Sequence, residues 1–203
     1  MRVLELFKGS GSISNYYKNR DNVEVISLDF NKKYEPTICC NIMDFDFKKY
    51  DVGFFDIIWA SPCCTLHSTL QYTHIGRKWK DRRELDKARL EDSKYIMKTI
   101  EIIEYSQPTF YYIENPERSS IWNYIEDLAI SKKYIIVDYC MFGFDYRKRT
   151  KIITNKDLDD VVCDKKSHEI RMGMCKKGQK GTYPNTLLKR YSIPERLLHY
   201  LLD

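Results

Sequence analysis

Apolar residues in this chain fall in short runs separated by polar turns. Val3 to Phe7 is such a run and ends at a glycine-containing turn. Ile13 to Lys18 opens a helix, and Val23 to Leu28 forms a second run. Together they predict a strand, turn, helix, strand unit. A third strand is expected at Phe54 to Ala60, broken by Pro62. Ala88, Ile96, Ile100 and Ile103 recur near helical spacing and predict one long amphipathic helix from about Glu84 to Tyr105. Phe110 to Ile113 reads as a fourth strand and Trp122 to Ala129 as a helix. Tyr134 to Tyr139 and Lys151 to Thr154 read as further strands, and Pro194 to Leu202 as a closing amphipathic turn or helix. Asp157 to Lys180 is polar and is expected to be a loop. Strands alternating with helical patterns imply an α/β architecture with a doubly wound, mostly parallel, Rossmann-like sheet.

The 203 residues include 43% hydrophobic side chains, enough for one sizeable core and one domain spanning 1–203. No run approaches the roughly 20 apolar residues of a membrane span, and no basic leader with an apolar stretch opens the chain. The expectation is an intracellular, unsecreted protein, in cytoplasm or nucleus, without a membrane partner. Seven cysteines are an odd number, and two pairs are sequence neighbours, Cys39 with Cys40 and Cys63 with Cys64. Free thiols in a reducing compartment follow. The net charge of +5 is modest, but basic residues cluster at Arg77 to Arg83, at Arg147 to Lys151 and at Lys176 to Lys180. Such clusters suit a polyanion, and a solvated surface accounts for any one of them alone.

In a doubly wound sheet, ligands sit at the carboxyl ends of the strands, where glycines let backbone amides approach. Gly9 and Gly11 occupy the first such turn. Asp29 follows the second run, where these folds place an acid that accepts hydrogen bonds from a ribose diol. The segment Leu4-Glu5-Leu6-Phe7-Lys8-Gly9-Ser10-Gly11 resembles the first motif of the DNA cytosine-C5 methyltransferases, with Glu5 where an Asp is usual. The resemblance covers most of the chain, strongest in its first 155 residues, and implies a class I methyltransferase fold that uses S-adenosylmethionine. On its terms Glu5, Phe7, Gly9, Gly11, Asp29 and Pro62 belong to the cofactor site, and Asp44 contacts the adenine.

Methylation at C5 of cytosine is difficult because that carbon is a poor nucleophile. A cysteine thiolate must add to C6, a carboxyl group near N3 must stabilise the developing charge, and cations are needed nearby. Ser61-Pro62-Cys63-Cys64-Thr65-Leu66-His67-Ser68 ends the third strand and resembles the family's Pro-Pro-Cys motif. Aligned on Thr65 and Ser68 the nucleophile is Cys64; matched on the Pro-Cys pair alone it is Cys63, and Cys64 is preferred. Glu114-Asn115-Pro116 ends the fourth strand and resembles Glu-Asn-Val, which makes Glu114 the carboxyl at N3 and Asn115 a positioning residue. Gly143 through Arg147 and Arg149 resembles the family's Gly and Arg-x-Arg motif, shorter by one residue and lacking its Gln. Both arginines are then expected to steady the base or a phosphate. Tyr183 through Pro194 is similar to the short C-terminal ending of phage and viral members.

The expected partner is duplex DNA with the target cytosine flipped out of the stack. Leu66 to Arg83, carrying His67, Tyr72, Trp79 and five basic residues, is expected to be a mobile loop closing over it. A segment of about 157–183 stands where larger relatives have a target-recognition domain, so sequence specificity is expected to be short or relaxed, or supplied by a partner. Cys163, His168 and Cys175 within it match no strong zinc spacing, and no metal is expected. The chain is expected to be a monomer or weak oligomer. RNA of transfer-RNA type as the substrate, a catalytically inactive nucleic-acid-binding relative, and a nicotinamide-dependent oxidoreductase are the rival readings. The last gives the cysteine and Glu-Asn segments no role.

Overall fold

The computed structural model describes residues 1–144, 146–164 and 190–203. Its strands are β1 (Arg2–Leu6), β2 (Glu24–Asp29), β3 (Ile38–Cys39), β4 (Ile57–Ala60), β5 (Phe110–Pro116), β6 (Tyr134–Asp138) and β7 (Arg149–Thr154). They form one sheet in the order β3-β2-β1-β4-β5-β7-β6. Neighbours from β3 to β5 run parallel, and β7 lies antiparallel to both β5 and β6. The order reverses between β1 and β4, which is where such sheets open a crevice for ligands.

Side-chain alternation sorts the apolar residues onto two faces. Leu4, Leu6, Ile58, Ala60, Ile113 and Ile153 pack with Ile96, Ile100 and Ile103 on one side of the sheet. Val3, Ile57, Trp59, Tyr112 and Ile152 pack with Ile13, Leu197 and Leu201 on the other. The first layer is carried by helix α3 (Lys94–Ser106), the second by α1 (Ser12–Tyr17) and α4 (Glu195–Leu202). Both faces of the central strands are therefore covered, which is why they read as near-continuous apolar runs. Each buried Ile or Leu contributes about 1.5–3 kcal/mol to holding a helix on the sheet.

Three expectations are corrected. The helix from Glu84 to Tyr105 is two, α2 (Arg82–Asp92) and α3, which meet at Ser93. Ser93 Oγ donates to the Leu90 carbonyl at 2.7 Å, a local bond that competes with helix continuation. The helices also bury different partners: α2 buries only Leu85 and Arg89, whereas α3 buries an isoleucine face. Trp122 to Ala129 forms no α-helix; 3-10 turns at Ser120–Tyr124 and Ala129–Lys132 take its place, the first capped by Ser119.

The stretch after the cysteines, expected to be a mobile loop, contains a 3-10 helix at Thr69–His74 capped by Ser68. It is pinned from within: buried Arg89 donates to the carbonyls of Leu66 and Ser68 and to the Tyr72 hydroxyl, all at 3.0–3.1 Å. His67, fully buried, bridges Ser120 and Asp92 at 3.1 Å each. The basic residues Arg77, Lys78 and Lys80 remain exposed. Of the expected loop at Asp157 to Lys180, Val161 forms a bridge with Val137, and residues beyond 164 up to 180 lie outside the described residues. So do His168 and Cys175, whereas Cys163 is buried. Among the described residues no helix is long and apolar enough to cross a membrane.

Candidate active site

The carboxyl ends of β1, β4 and β5 open into one cavity of about 360 Å³. After β1 the chain turns through three positive φ values, 59° at Phe7, 48° at Gly9 and 69° at Gly11. At Gly11 a β-carbon would meet Lys8 at 3.3 Å in a conformation L residues rarely adopt, so the turn requires glycine there. Glu5 is buried beneath this turn. Its carboxylate accepts from the amides of Ile13 and Ser14 and from the Ser14 hydroxyl, and so caps the first turn of α1. Burial raises the Glu5 pKa despite these bonds.

At the end of β2, Asp29 is buried and accepts from Gly9 N at 3.0 Å and Asn31 N at 2.8 Å. Each carboxylate oxygen has two acceptor sites, so capacity remains for a ligand. Phe30, next in the chain, is 75% exposed at the cavity rim, an unusual place for a large apolar ring unless something covers it. Tyr191 and Ile193 close the same rim from the C-terminal segment, tied back by Ile193 N donating to Ser12 Oγ at 3.0 Å.

The chemical end is built by β4, β5 and the turn before β7. Pro62, Cys63 and Cys64 follow β4 and line the cavity; Cys63 is exposed and Cys64 half-buried. Glu114 and Asn115 sit at the end of β5, 6% and 1% exposed. Asn115 Nδ2 donates to the Pro62 carbonyl at 2.7 Å, which joins the two strand ends; its Oδ1 is buried without a partner. One oxygen of Glu114 accepts from the Tyr139 hydroxyl at 3.0 Å and from Lys148 Nζ at 3.3 Å. Burial pushes the Cys64 thiol up to about 11, with Glu114 adding to the rise and Lys148 opposing it. Burial first, and then Glu114, holds the Tyr139 hydroxyl well above its ordinary range.

Arg147 and Arg149 do not line this cavity. Both turn to Asp138, fully buried, with Arg149 bonding it at 2.7 and 3.0 Å and Arg147 at 3.6 Å. Burial works against the Asp138 charge, yet Arg149, the Cys163 amide and Arg147 together hold its pKa below the ordinary value. Asp44 is exposed on a 3-10 turn at Ile42–Asp44 and also stays outside the cavity lining. The structure thus gathers Glu5, Phe7, Gly9, Asp29, Pro62, Cys64, Glu114 and Asn115 around one space. Gly11 shapes the turn from just behind it. Lys148, Tyr139 and Phe30 escaped the motif reading. The signal for Lys148 was present: alternation along an extended segment sends residue 148 to the face opposite 147 and 149.

Over its full length the chain is 28% identical to a probable DNA (cytosine-5)-methyltransferase of Frog virus 3, across 223 aligned positions and 99% of that protein. No family model matches. Among solved structures it resembles the S. pombe Dnmt2 methyltransferase, with a TM-score of 0.51 at 14% identity over 78% of this chain and 52% of that one. It also resembles the Entamoeba histolytica methyltransferase EhMeth, with a TM-score of 0.49 at 16% identity over 79% and 56% of the two chains. The chain spans about half the length of these two solved structures. The fold is that of the Rossmann-like, class I methyltransferases. Within that class its resemblance is to the DNA (cytosine-5) methyltransferases.

Proposed function

We propose that this enzyme transfers a methyl group from S-adenosylmethionine to C5 of cytosine in duplex DNA, through a covalent adduct on Cys64. The observation that carries the reading is the meeting of Cys64, Glu114 and Lys148 with the glycine turn and Asp29 in one cavity. The residues fit the cofactor: Asp29 has acceptor capacity for a ribose diol, and Phe30 offers a flat apolar face for the adenine. Phe7, Gly9 and Pro62 line the space between that end and Cys64. Bound there, S-adenosylmethionine supplies an electrophilic methyl on a sulfonium sulfur, which keeps the bonding pair as C5 captures the methyl.

The protein's own steps balance as follows. The Cys64 thiol passes its proton to the Glu114 carboxylate, and the thiolate so formed donates an electron pair to C6 of the base. The C5=C6 pair shifts to C4–C5, and the displaced C4=N3 pair takes a proton at N3 from the Glu114 carboxyl. Methyl capture at C5 re-forms C4=N3 and returns that proton to Glu114. Water takes the C5 proton, C5=C6 is restored, and Sγ leaves with its pair. Asn115 fixes the spacing of the two strand ends through Pro62, and Tyr139 orients Glu114. A base inside a duplex cannot reach a strand-end cavity, so the cytosine is flipped out, at a cost of about a few kcal/mol. The exposed Arg77, Lys78 and Lys80 offer phosphate contacts.

The test is incubation of wild-type, Cys63→Ala and Cys64→Ala protein with labelled S-adenosylmethionine and duplex DNA or RNA, followed by nucleoside analysis. The expected result is 5-methylcytosine in DNA, kept by Cys63→Ala and lost by Cys64→Ala. Loss with Cys63→Ala alone would move the nucleophile, label confined to RNA would change the substrate, and no label in either would sink the reading.

A further inference from the structure

We infer that Lys148 is the catalytic cation of this site, its ammonium held against the Glu114 carboxylate in the cavity that Cys64 lines while Asp138 turns the flanking Arg147 and Arg149 away. The inference rests on the reading of Cys64 as the attacking thiol. It starts from alternation: Arg147 and Arg149 share one face and are held there by the buried Asp138, which also accepts from the Cys163 amide at 2.8 Å. Lys148 must then point the other way, into the cavity. It is only 7% exposed there, stands 3.3 Å from Glu114, and lies 4.5 Å from the centre of the Tyr139 ring. A buried ammonium is costly unless paired, and Glu114 supplies that pairing in the cavity that Cys64 lines.

A use for Lys148 follows from the charges around the thiol. Glu114 and Lys148 face Cys64 with opposite signs, Cys63 adjoins it, and Tyr139 bonds Glu114 as a neutral hydroxyl. Glu5, Lys8 and Asp29 line the same cavity. At rest the Glu114–Lys148 pair is close to neutral, and burial keeps the thiol protonated. When a base occupies the site, the Cys64 thiol gives its proton to the Glu114 carboxylate, which loses its negative charge and becomes the carboxyl that N3 draws on. The Lys148 charge is then uncompensated and favours the thiolate and the charge building on the ring. The nucleophile is thereby switched on by occupancy of the site.

The experiment uses the full-length protein carrying Cys63→Ala, with iodoacetamide as the probe and mass spectrometry of the Cys64 peptide as the readout across pH. In Lys148→Met the alkylation midpoint is expected about one pH unit higher, and alkylation near neutral pH about tenfold slower. Lys148→Arg should return the midpoint towards the parent, and formation of 5-methylcytosine should fall with Lys148→Met. Superimposable alkylation curves for parent and Lys148→Met would overturn the inference. Should Lys148→Met fail to fold by circular dichroism, Lys148→Gln, which keeps length and polarity, answers the same question. A parent that methylates while Lys148 variants titrate unchanged refutes the role of Lys148 alone. A parent that shows the Lys148-dependent titration but labels no nucleic acid refutes the methyltransferase reading and leaves the electrostatic role standing.

Discussion

Glu114 accepts hydrogen bonds from Tyr139 and Lys148 while its charge works against ionisation of the Cys64 thiol. In the proposed mechanism the same carboxyl protonates N3 during attack. Glu114→Gln should therefore pull two properties of one cysteine apart. Without the negative charge the Cys64 thiol ionises at lower pH, so its alkylation near neutral pH becomes faster. Without a proton to give, methyl transfer falls by about 10²–10⁴. Parallel measurement of alkylation and of 5-methylcytosine formation checks this, and a fall in both would show that Glu114 acts by holding the site together. Lys148 shows why the site was only partly readable. Motif matching weighs residue types at fixed offsets and selected Arg147 and Arg149, whereas the direction of each side chain depends on Asp138, a residue on β6 that no local pattern links to them.

At the scale of elements, the segment that follows Cys64 owes its shape to α2. Arg89 is 2% exposed and spends its guanidinium on two carbonyls and a hydroxyl of residues 66 to 72. Arg89→Met keeps the bulk but strands those acceptors, at a cost of about 2–4 kcal/mol. Because the bonds position the chain between Cys64 and Tyr72, the loss should appear both as a lower urea midpoint and as weaker DNA binding. Unchanged values for both would mean that the segment is positioned without Arg89, by His67 through Ser120 and Asp92 and by Gln71, which donates to the Thr65 carbonyl at 2.9 Å. The same contacts explain which elements were legible. β1, α1, β2 and α4 carry their periodicity in their own side chains and lie close to where the pattern places them. The Leu66 to Arg83 stretch has no period because its order comes from α2 and from Asp92 and Ser120, distant in sequence. The break at Ser93 was hidden because apolar spacing continues across it while the buried face changes.

Across the whole molecule, several weak acids are kept protonated by burial, and folding is therefore linked to alkaline pH. The Cys64 thiol is pushed up to about 11 from an ordinary 9.0 and Cys140 to about 12, in each case by burial first. Tyr17, Tyr112 and Tyr139, packed between the sheet and its helices, are raised from an ordinary 10.0 in the same direction and for the same cause. All of these groups bind their proton more tightly when folded. Above about pH 9 the unfolded chain begins to release protons that the folded chain retains, so stability must fall as pH rises from there. The loss attributable to Cys64 accumulates between about 9 and about 11, and that of the tyrosines begins near 10. Urea unfolding of reduced protein at intervals from roughly pH 8 to roughly pH 11 should show a steadily decreasing midpoint, shallower in Cys64→Ala because one linked proton is gone. A midpoint constant across this range would mean that the thiol and the tyrosines ionise in the folded state as easily as in water. That would remove the burial that, in the proposed mechanism, keeps Cys64 neutral until a base enters the cavity.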